Sequence, residues 1–389
     1  MTTYLLTPIL VYLGVSVFYN LVFALASTKK GNVPYQPRFV QINKIAVFIP
    51  AYKEDGIIVD TAIKALDQNY PSNRYTVFII ADSLKPQTLV NLRELPVEVV
   101  EVSFEKSTKA KAINKTYEQV KGDYDVTVVL DADNVMERSF LTKVNNAYND
   151  GNMAMQGHRI AKNQENSLAV LDAISEEINN NIYRKGHRNL GLSSALIGSG
   201  MAFDFHLLKN EMNQIDAIGG FDKELELRLL KQNITIEYLE HACVYDEKVS
   251  ESEAFTNQRT RWIAAQIRYG VNSFGDAITQ LLTKGNIDYF DKSLQFLLPP
   301  RLILLGLLVV LTAVTALFQI DGWSIVTTLL LAYIIALAVS VPKKFYNSTA
   351  IKACLKLPKT FALMVVAIGG YKKAKTNFLH TPHQNQINQ

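Results

Sequence analysis

The chain has 389 residues, more than one ordinary domain needs, which allows a folded core with appended segments. Its net charge of +4 is small for this length and argues against a protein that binds nucleic acid. Two cysteines, Cys243 and Cys354, lie far apart, which is typical of a reducing compartment and not of a disulfide framework.

An uncharged segment lies near the start of the chain. Residues 5–26 carry no charge, and the first charged side chain is Lys29. A helix of about 20 apolar residues crosses a bilayer, so this segment is long enough to span. A signal peptide is the alternative, but the segment lacks a basic start and a small-residue cleavage site and is too long. We therefore expect an uncleaved membrane anchor.

The next part of the chain alternates between strand-like and helix-like segments. The predicted strands are continuous β-branched runs, which is typical of a parallel sheet covered by helices on both faces. The predicted elements are strand 45–49, helix 57–66, strands 76–81 and 97–102, helix 109–120 and strand 126–130. The fold class is therefore predicted to be α/β.

Polar residues follow the ends of three predicted strands. Tyr52 and Glu54 follow the first, Asp82 the second, and Asp131 and Asp133 the fourth. Ligands of parallel sheets bind at the carboxyl ends of the strands, so we expect the site there. A dinucleotide dehydrogenase or a P-loop enzyme is disfavoured, because the first strand is not followed by G-x-G-x-x-G or by a P-loop lysine.

Asp131 and Asp133 form a D-x-D pair. Carboxylate oxygens are suitable ligands for Mg²⁺ or Mn²⁺, and such an ion can bridge to a diphosphate. Solvated turn acids are the commoner explanation of an isolated D-x-D. The position of this pair after a buried strand, with acids at two other strand ends, favours the metal site.

Two more uncharged segments, 302–320 and 323–341, follow the α/β region. Both are long enough to span a membrane; two buried core helices are the alternative. The shorter segment 360–370 is predicted to lie at the membrane interface. Basic residues flank these segments and the first one: Lys29, Lys30, Arg38, Lys44, Arg301, Lys343, Lys344, Lys352 and Lys356. The positive-inside rule then places residues 27–300 and the C-terminus in the cytoplasm.

Several motifs occur in the order that they have in family 2 glycosyltransferases. They are VFIPAYKED, IIADS, KAKAIN, DAD, IGSGMAF, FDKELELRLL and QRTRW. Over residues 44–270 and the flanking apolar segments, the chain resembles the membrane-bound, processive-type branch that includes cellulose, chitin and hyaluronan synthases. The resemblance implies a GT-A nucleotide-sugar-binding domain, with a mostly parallel sheet and helices on both faces, plus transmembrane helices.

The resemblance also implies roles for single residues. Donor contacts fall on Tyr52, Glu54, Asp82, Lys109 and Asp131, and the metal ligands are the D-x-D acids with Mg²⁺ or Mn²⁺. From the residues alone, Lys109 faces either phosphate or solvent.

The segment that carries the family's catalytic base departs from the usual pattern. It normally begins Thr-Glu-Asp or similar, whereas here Phe221 takes the place of the usual acid. Asp222 is the expected base, and Glu224 is the second choice. A helix start that uses Asp222 as a favourable N-terminal residue is an equally good explanation from sequence alone.

The segment QRTRW resembles the family's Q-x-x-R-W motif, which gives Gln258, Arg261 and Trp262. Side chains three and four residues apart share one helix face. Arg261 can contact phosphate through two hydrogen bonds, and Trp262 offers a flat face for a sugar ring. An amphipathic interfacial helix is the alternative. The resemblance implies that this helix closes the site near the membrane.

Together these features predict an inverting, metal-dependent glycosyltransferase that forms β-linkages. It would move a hexosyl group from a nucleotide sugar, expected to be a UDP-sugar, to a polysaccharide or lipid acceptor. The family resemblance implies the bacterial inner membrane and further polysaccharide-synthesis proteins as partners. The alternative is a catalytically silent subunit that binds nucleotide sugar, which Phe221 leaves open.

The predicted domain limits are 1–28 for the anchor, 40–275 for the cytoplasmic GT-A domain, 290–342 for two transmembrane helices and 343–389 for an interfacial segment and polar tail. Gln156 lies near a strand end and is a weaker candidate for an acceptor contact. His380 and His383 lie in the polar tail without further ligands and are predicted to be unstructured.

Overall fold

A computed structural model describes residues 2–30, 35, 40–217 and 219–370. Within these residues the strands are β1 (Ile45–Tyr52), β2 (Tyr75–Asp82), β3 (Glu98–Val102), β4 (Val126–Val129), β5 (Val135–Met136), β6 (Ala154–Ala161), β7 (Met201–Asp204) and β8 (Ile236–Asp246). The tail with His380 and His383 lies outside the described residues.

The helices are α1 (Thr2–Ser27), α2 (Ile58–Ala65), α3 (Pro86–Arg93), α4 (Lys109–Gln119), α5 (Phe140–Asn149), α6 (Ser167–Asn179), α7 (His187–Asn189), α8 (Phe205–Met212), α9 (Phe221–Lys231), α10 (Ser252–Lys284), α11 (Ile287–Leu297), α12 (Arg301–Leu317), α13 (Trp323–Ser340), α14 (Ser348–Cys354) and α15 (Leu357–Gly369). A π-helical segment, Asn180–Gly186, joins α6 to α7.

The strands form one sheet in the order β3-β2-β1-β4-β7-β6-β8-β5. The first four are parallel, and so are β6 and β8, whereas β7 is antiparallel to both of its neighbours and β5 is antiparallel to β8. The sheet is therefore mixed but mostly parallel, which confirms the predicted α/β class. The antiparallel strand β7 brings the chain that precedes it to the end of β4.

Successive side chains of β1 enter two different cores, because a strand alternates its faces. Phe48 packs edge-on against Tyr117 of α4, with ring centroids 5.0 Å apart. Val47 and Ile49 face the opposite core, which also contains Val144 of α5. Burial on both faces explains why this strand is apolar at every position up to Pro50 instead of alternating.

Strand β1 continues past the predicted end at residue 49, to Tyr52. The sequence prediction ended the strand at residue 49 and placed Pro50 in the segment that follows it. Proline has no N–H to donate to a neighbouring strand. In the structure β4 pairs only with residues Ile45–Phe48, so Pro50 has a ladder partner on the β2 side alone. The extension places Tyr52 directly beside Asp82, the last residue of β2.

Two helices are long and apolar enough to cross a membrane: Thr7–Ser27 within α1, and α13. The second predicted span is shorter than expected, because α12 ends at Leu317. Helices α11 and α12 are bent by 57° relative to each other. The pair is long enough to span a membrane only if it is treated as one broken helix. The bend follows from Pro299 and Pro300, which cannot continue a helix.

Helix α1 packs backbone to backbone against the π-helical segment. A Cβ atom on Gly186 would lie 2.2 Å from the carbonyl oxygen of Phe23 and 3.0 Å from that of Asn181. Next to this contact, Phe23 stacks on His187 at 3.6 Å, and the hydroxyl of Tyr19 is 2.9 Å from His187 Nε2. Helix α1 therefore packs closely against the α/β region.

We expect Gly186→Ala to destabilise the protein by about 1–3 kcal/mol, since the added methyl group meets a backbone carbonyl that cannot rotate away. Gly275→Ala is the matched control, because a Cβ there has no atom within 4 Å and alanine is favoured in helices by roughly 0.5–1 kcal/mol. Thermal unfolding in detergent measures both. Equal stability of the two variants would contradict the close packing of α1.

Candidate active site

The carboxyl ends of β1 and β2 bring three predicted donor residues together. Tyr52 pairs with Asp82 in the ladder, and the Lys53 amide donates to the Asp82 carbonyl at 3.1 Å. Ser83 Oγ donates to Asp82 Oδ1 at 3.0 Å. Asp82 and Glu54 are both buried, so their carboxylates lie within this edge of the sheet and not on the outer surface.

The D-x-D pair follows β4 at the same edge. The Asp131 amide donates to Ser199 Oγ at 2.9 Å, and this hydroxyl donates to Asn134 Oδ1 at 2.6 Å. Asn134 Nδ2 in turn donates to Asp133 Oδ1 at 2.9 Å. The turn is therefore held from the β7 side by Ser199, which fixes the direction of both carboxylates. Asp133 is buried, whereas the Asp131 side chain is 39% exposed and open to a ligand.

Asp131 and Asp133 fit a hard divalent cation, because both supply oxygen and Asp131 is accessible. Among the described residues no group of three or more His, Cys, Asp or Glu side chains is placed to hold a metal. The protein therefore offers two carboxylates, and phosphate oxygens and water would have to complete the coordination, as is usual for Mg²⁺.

Lys109 connects the D-x-D turn to the segments on the other side of the site. Its ammonium group pairs with Asp131 and donates to the Gly198 carbonyl at 2.6 Å. It also lies 5.5 Å from the centre of the Phe221 ring. The helix start that carries it is fixed by Thr108, whose hydroxyl accepts from the Lys111 amide at 3.2 Å. A positive charge therefore stands beside the open carboxylate, where a diphosphate would bind.

Asp222 and Lys109 both lie beside Gly198. A Cβ on Gly198, which has φ +81°, would be 3.8 Å from Asp222 Cγ. Helix α9 has Gly220 as its N-cap with no side-chain capping bond, so Asp222 does not cap the helix. Glu224 Oε2, in contrast, accepts from the Tyr269 hydroxyl at 2.9 Å. The structure therefore favours Asp222 over Glu224 as the carboxylate that faces the site.

Helix α10 brings only part of the Q-x-x-R-W motif to the site. Arg261 and Trp262 line a cavity next to Asp222, but Gln258 is not among the described residues that line it, and its Oε1 is buried without a hydrogen-bond partner. Burial lowers the pKa of Arg261, and the charge of Asp131 opposes that shift. Arg259, which the sequence did not single out, stacks on the Trp262 ring at 4.1 Å.

Helix α9, which carries Asp222, is held in place by a buried ion pair. Lys292 Nζ of α11 is 2.9 Å from Glu226 Oε1 of α9, and both side chains are almost fully buried. Glu226 also accepts from the Leu196 amide at 3.3 Å, so it supports the loop that leads to Gly198. Burial raises the pKa of Glu226, and the charge of Lys292 opposes this rise.

The cavity beside Asp222 has a volume of ≈870 Å³. Charged side chains line one side of it, namely Lys109, Asp131, Arg159, Asp172, Glu176, Arg184, Asp222, Lys223, Glu226, Arg259, Arg261, Arg268 and Arg301. Gln156 does not line it: this side chain is fully buried and braces the loop through its bonds to the Ser199 carbonyl and the Ile197 amide.

Residues 43–265 match the model of a protein family described as glycosyltransferase-like family 2. The chain belongs to this family. A curated relative, the probable glycosyltransferase YdaM of Bacillus subtilis, is 24% identical over 246 residues, which are 60% of this chain and 58% of YdaM. The chain thus aligns with less than two thirds of the length of that relative.

A solved structure of the mannosyltransferase PcManGT from Pyrobaculum calidifontis, in complex with GDP-Man and Mn²⁺, has the same fold. The TM-score is 0.55 with 15% sequence identity, over 94% of this chain and 99% of PcManGT. At this identity the likeness shows the fold and supports the GT-A architecture.

Two arginines that line the cavity, Arg159 and Arg259, were not predicted from the sequence. Arg159 pairs with Glu176 at 2.8 Å, and Arg259 pairs with Asp172. Arg159 lies in β6, whose sequence AMQGHRIA mixes apolar and polar residues, so the pattern does not indicate that this charge is buried. The partner itself could not be found, since nothing local links β6 to α6.

We expect Lys292→Met to cost about 3–5 kcal/mol of stability at neutral pH, because it leaves the Glu226 carboxylate buried without its cation. The double variant Lys292→Met/Glu226→Leu should regain most of that loss. Lys64→Met breaks the exposed Lys64–Asp60 pair and should cost no more than about 1 kcal/mol. Chemical unfolding in detergent compares the three.

The loss in Lys292→Met should depend on pH. A carboxyl whose folded-state pKa is raised destabilises the folded protein above that pKa, and the penalty disappears below the pKa of the unfolded chain, where both states are protonated. The deficit should therefore shrink as the pH falls from 7 towards the ordinary glutamate pKa of about 4.3. A deficit that is constant over this range would contradict the role of the charge.

Proposed function

We propose that the protein is an inverting, metal-dependent glycosyltransferase that transfers a sugar from a nucleotide sugar at the cytoplasmic face of a membrane. The observation that carries the proposal is the convergence of Asp131, Lys109 and Asp222 around Gly198, with the Asp131 carboxylate accessible. A carboxylate for a cation, a cation for a phosphate and a carboxylate for a proton thereby share one site.

On the donor side, Tyr52, Glu54 and Asp82 would bind the nucleoside, and Asp131 and Asp133 would hold Mg²⁺ or Mn²⁺. A bound divalent ion supplies charge neutralisation for the departing diphosphate. The presence of GDP-Man and Mn²⁺ in the PcManGT complex supports the choice of donor class and ion. Resemblance to polymer synthases favours a UDP-sugar, so UDP- and GDP-sugars are both worth testing.

The diphosphate would also meet two cationic side chains. Lys109 already stands beside Asp131, and the Arg261 guanidinium lies close enough for the charge of Asp131 to act on its pKa. Charge-assisted hydrogen bonds from such groups are roughly twice as strong as neutral ones. They stabilise the leaving group as its bond to the sugar breaks.

On the acceptor side, Asp222 would accept the proton of the attacking hydroxyl. The hydroxyl oxygen forms a bond to the anomeric carbon while the bond from that carbon to the diphosphate oxygen breaks. The nucleoside diphosphate leaves with the bonding electron pair. A single displacement of this kind inverts the anomeric centre. Trp262, which lines the same cavity, offers an apolar ring face to the sugar and helps to exclude water.

Membrane attachment is part of the proposal. Residues 1–28 would form the anchor, 40–275 the cytoplasmic GT-A domain, 290–342 the two later membrane helices and 343–389 the interfacial segment with its tail. The two helices of spanning length and the basic residues beside them support this arrangement. A bacterial inner membrane and partners in polysaccharide synthesis follow from the family resemblance.

Two versions of this function differ in the chemical class of the acceptor. A polysaccharide acceptor gives a ladder of products, as the processive-type resemblance predicts, whereas a lipid acceptor gives a single glycolipid. Chromatography of labelled product distinguishes them. Binding of nucleotide sugar without turnover, even with native membrane proteins, would instead favour the silent subunit.

We expect release of nucleoside diphosphate from one donor of a panel of UDP- and GDP-sugars, in native membrane extract with Mn²⁺ or Mg²⁺. Chelation by EDTA should abolish release, and added Mn²⁺ should restore it, because Asp131 and Asp133 are anionic and would repel the diphosphate without a divalent cation between them. Release that is unchanged in EDTA would contradict the metal site. No release from any donor would contradict the enzymatic function.

Asp222→Asn should lower kcat by about 10²–10⁴-fold, because an amide cannot accept the hydroxyl proton. The KM for the donor should change little, since Asp222 faces the acceptor cavity. Glu224→Gln is the matched control on the same helix turn and should retain most of the activity, because it keeps an oxygen for Tyr269. Steady-state rates measure both, and an active Asp222→Asn enzyme would rule out this base.

A further inference from the structure

The cavity beside Asp222 extends from the candidate base to the membrane helices. At one end it is lined by Lys109, Asp131 and Asp222. The other end is apolar and is formed by side chains of α12, α13 and α15, including Leu302, Leu305, Ile334, Leu337, Leu357 and Met364. Its volume of ≈870 Å³ is within the usual range of small-molecule sites.

This cavity is separate from the surface proposed to bind the nucleoside. Among the described residues that line it, the donor residues Tyr52, Glu54, Asp82 and Asp133 do not occur, and Asp131 lies where the two regions meet. A molecule in the cavity therefore approaches Asp222 from the membrane side, whereas the donor approaches from the strand ends.

Three arginines in the cavity wall each have a buried nitrogen without a hydrogen-bond partner. These atoms are Arg159 Nε, Arg259 Nε and Arg301 Nη1. Arg159 Nε has the Asp246 carboxylate 3.6 Å away, which is an ion pair but too long for a hydrogen bond. A buried donor that lacks an acceptor costs about 1–3 kcal/mol, so these three guanidiniums have hydrogen-bonding capacity that the protein leaves unused.

Arg301 is the first residue of α12, the helix that also contributes Leu302 and Leu305 to the cavity wall. Its Nη2 donates to the carbonyl and the hydroxyl of Ser175, at 2.8 and 2.9 Å. Within the described part of the chain no carboxylate lies within ion-pair distance of it. Its charge is therefore not neutralised by the protein, and phosphate is the group that a guanidinium binds best through two parallel bonds.

We propose that the acceptor is a membrane lipid with a phosphate diester and a hydroxyl-bearing headgroup. Its hydrocarbon chain lies against the apolar wall formed by α12, α13 and α15, Arg301 and Arg259 bind its phosphate, and its headgroup hydroxyl reaches Asp222. This inference rests on the proposed function and selects its lipid version. The reacting hydroxyl gives its proton to Asp222 and bonds to the anomeric carbon, as set out above.

The chemical groups in the cavity lining support this occupant. A phospholipid has a hydrocarbon chain, an anion and a hydroxyl, and the lining supplies apolar, cationic and carboxylate side chains. A polysaccharide would place hydroxyl groups against leucine and isoleucine side chains, which offer them no hydrogen bonds.

The chain contains two tryptophans, which makes lipid binding directly measurable. Trp262 lines the cavity, whereas Trp323 is 53% exposed at the start of α13. The variant Trp323→Phe therefore reports only on the cavity through Trp262 fluorescence. It would be reconstituted in phosphatidylcholine vesicles that contain a minor fraction of phosphatidylglycerol or of diacylglycerol, each brominated near the headgroup end of its acyl chains.

We expect brominated phosphatidylglycerol to quench Trp262, and brominated diacylglycerol, which lacks the phosphate, to quench it far less. Adding Arg301→Gln should weaken the phosphatidylglycerol effect by roughly 10-fold, the value of one charge-assisted hydrogen bond. Arg301→Lys keeps the charge and tests whether loss of folding explains the result. Lys352→Gln removes an exposed charge at the membrane side and should change binding by no more than about twofold.

A steric pair of variants tests the apolar wall. Leu305 lines the cavity, whereas Leu307 of the same helix is exposed and is not among its described lining residues. Leu305→Phe should reduce quenching by the phospholipid and Leu307→Phe should not. Competition by soluble glycerol phosphate equal to that of the lipid would show a phosphate site without a lipid site, and would overturn the proposal.

The other outcomes are equally informative. Equal quenching by phosphatidylglycerol and diacylglycerol would refute the recognition of phosphate. No quenching by either lipid, in a protein that still releases nucleoside diphosphate with a soluble sugar acceptor, would refute the lipid site and leave the proposed function standing. Binding measured in this way does not require turnover, so failure of the donor assay would count against the proposed function and the role of the lipid as acceptor, but not against the lipid site itself.

Discussion

Two consecutive charged residues of α11 connect α1 to α9, the helix that carries the candidate base. Asp291 lies 3.2 Å from His187 Nε2, next to the stacked Phe23 of α1. Lys292 lies 2.9 Å from Glu226 of α9. A buried charge that loses its partner costs several kcal/mol, so α11 can leave neither neighbour without a large penalty. These contacts hold α1 and α9 to the same short helix.

The loop before β7 depends on the same ion pair and carries the constraint into the site. Glu226 binds the Leu196 amide, Gln156 binds the Ile197 amide, and Ser199 holds the Asp131 turn. Gly198 stands between these supports, with Lys109 bonded to its carbonyl oxygen. The positions of the D-x-D turn and of α9 are thus coupled through one short loop, without a long rigid element between them.

Local patterns in the sequence predict most of the α/β region. The β-branched runs mark β1, β2 and β4, and the polar residues after them do gather at one edge of the sheet. The partners that lie far apart in the chain could not be predicted: no local pattern joins Lys292 to Glu226, or Arg259 to Asp172. Gln258 is instructive, because helical spacing put it with Arg261 and Trp262, yet it is not among the described residues that line the cavity.

Phe221 is best understood through the charges around it. An acid at this position would stand near Asp131 and Asp222 and add a third negative charge beside the diphosphate. The phenylalanine ring is buried and instead lies 5.5 Å from the Lys109 ammonium, a contact worth about 0.5–1 kcal/mol at an exposed site. Phenylalanine therefore leaves the site with one negative charge fewer than the usual acid would, and Asp222 still follows it in the sequence.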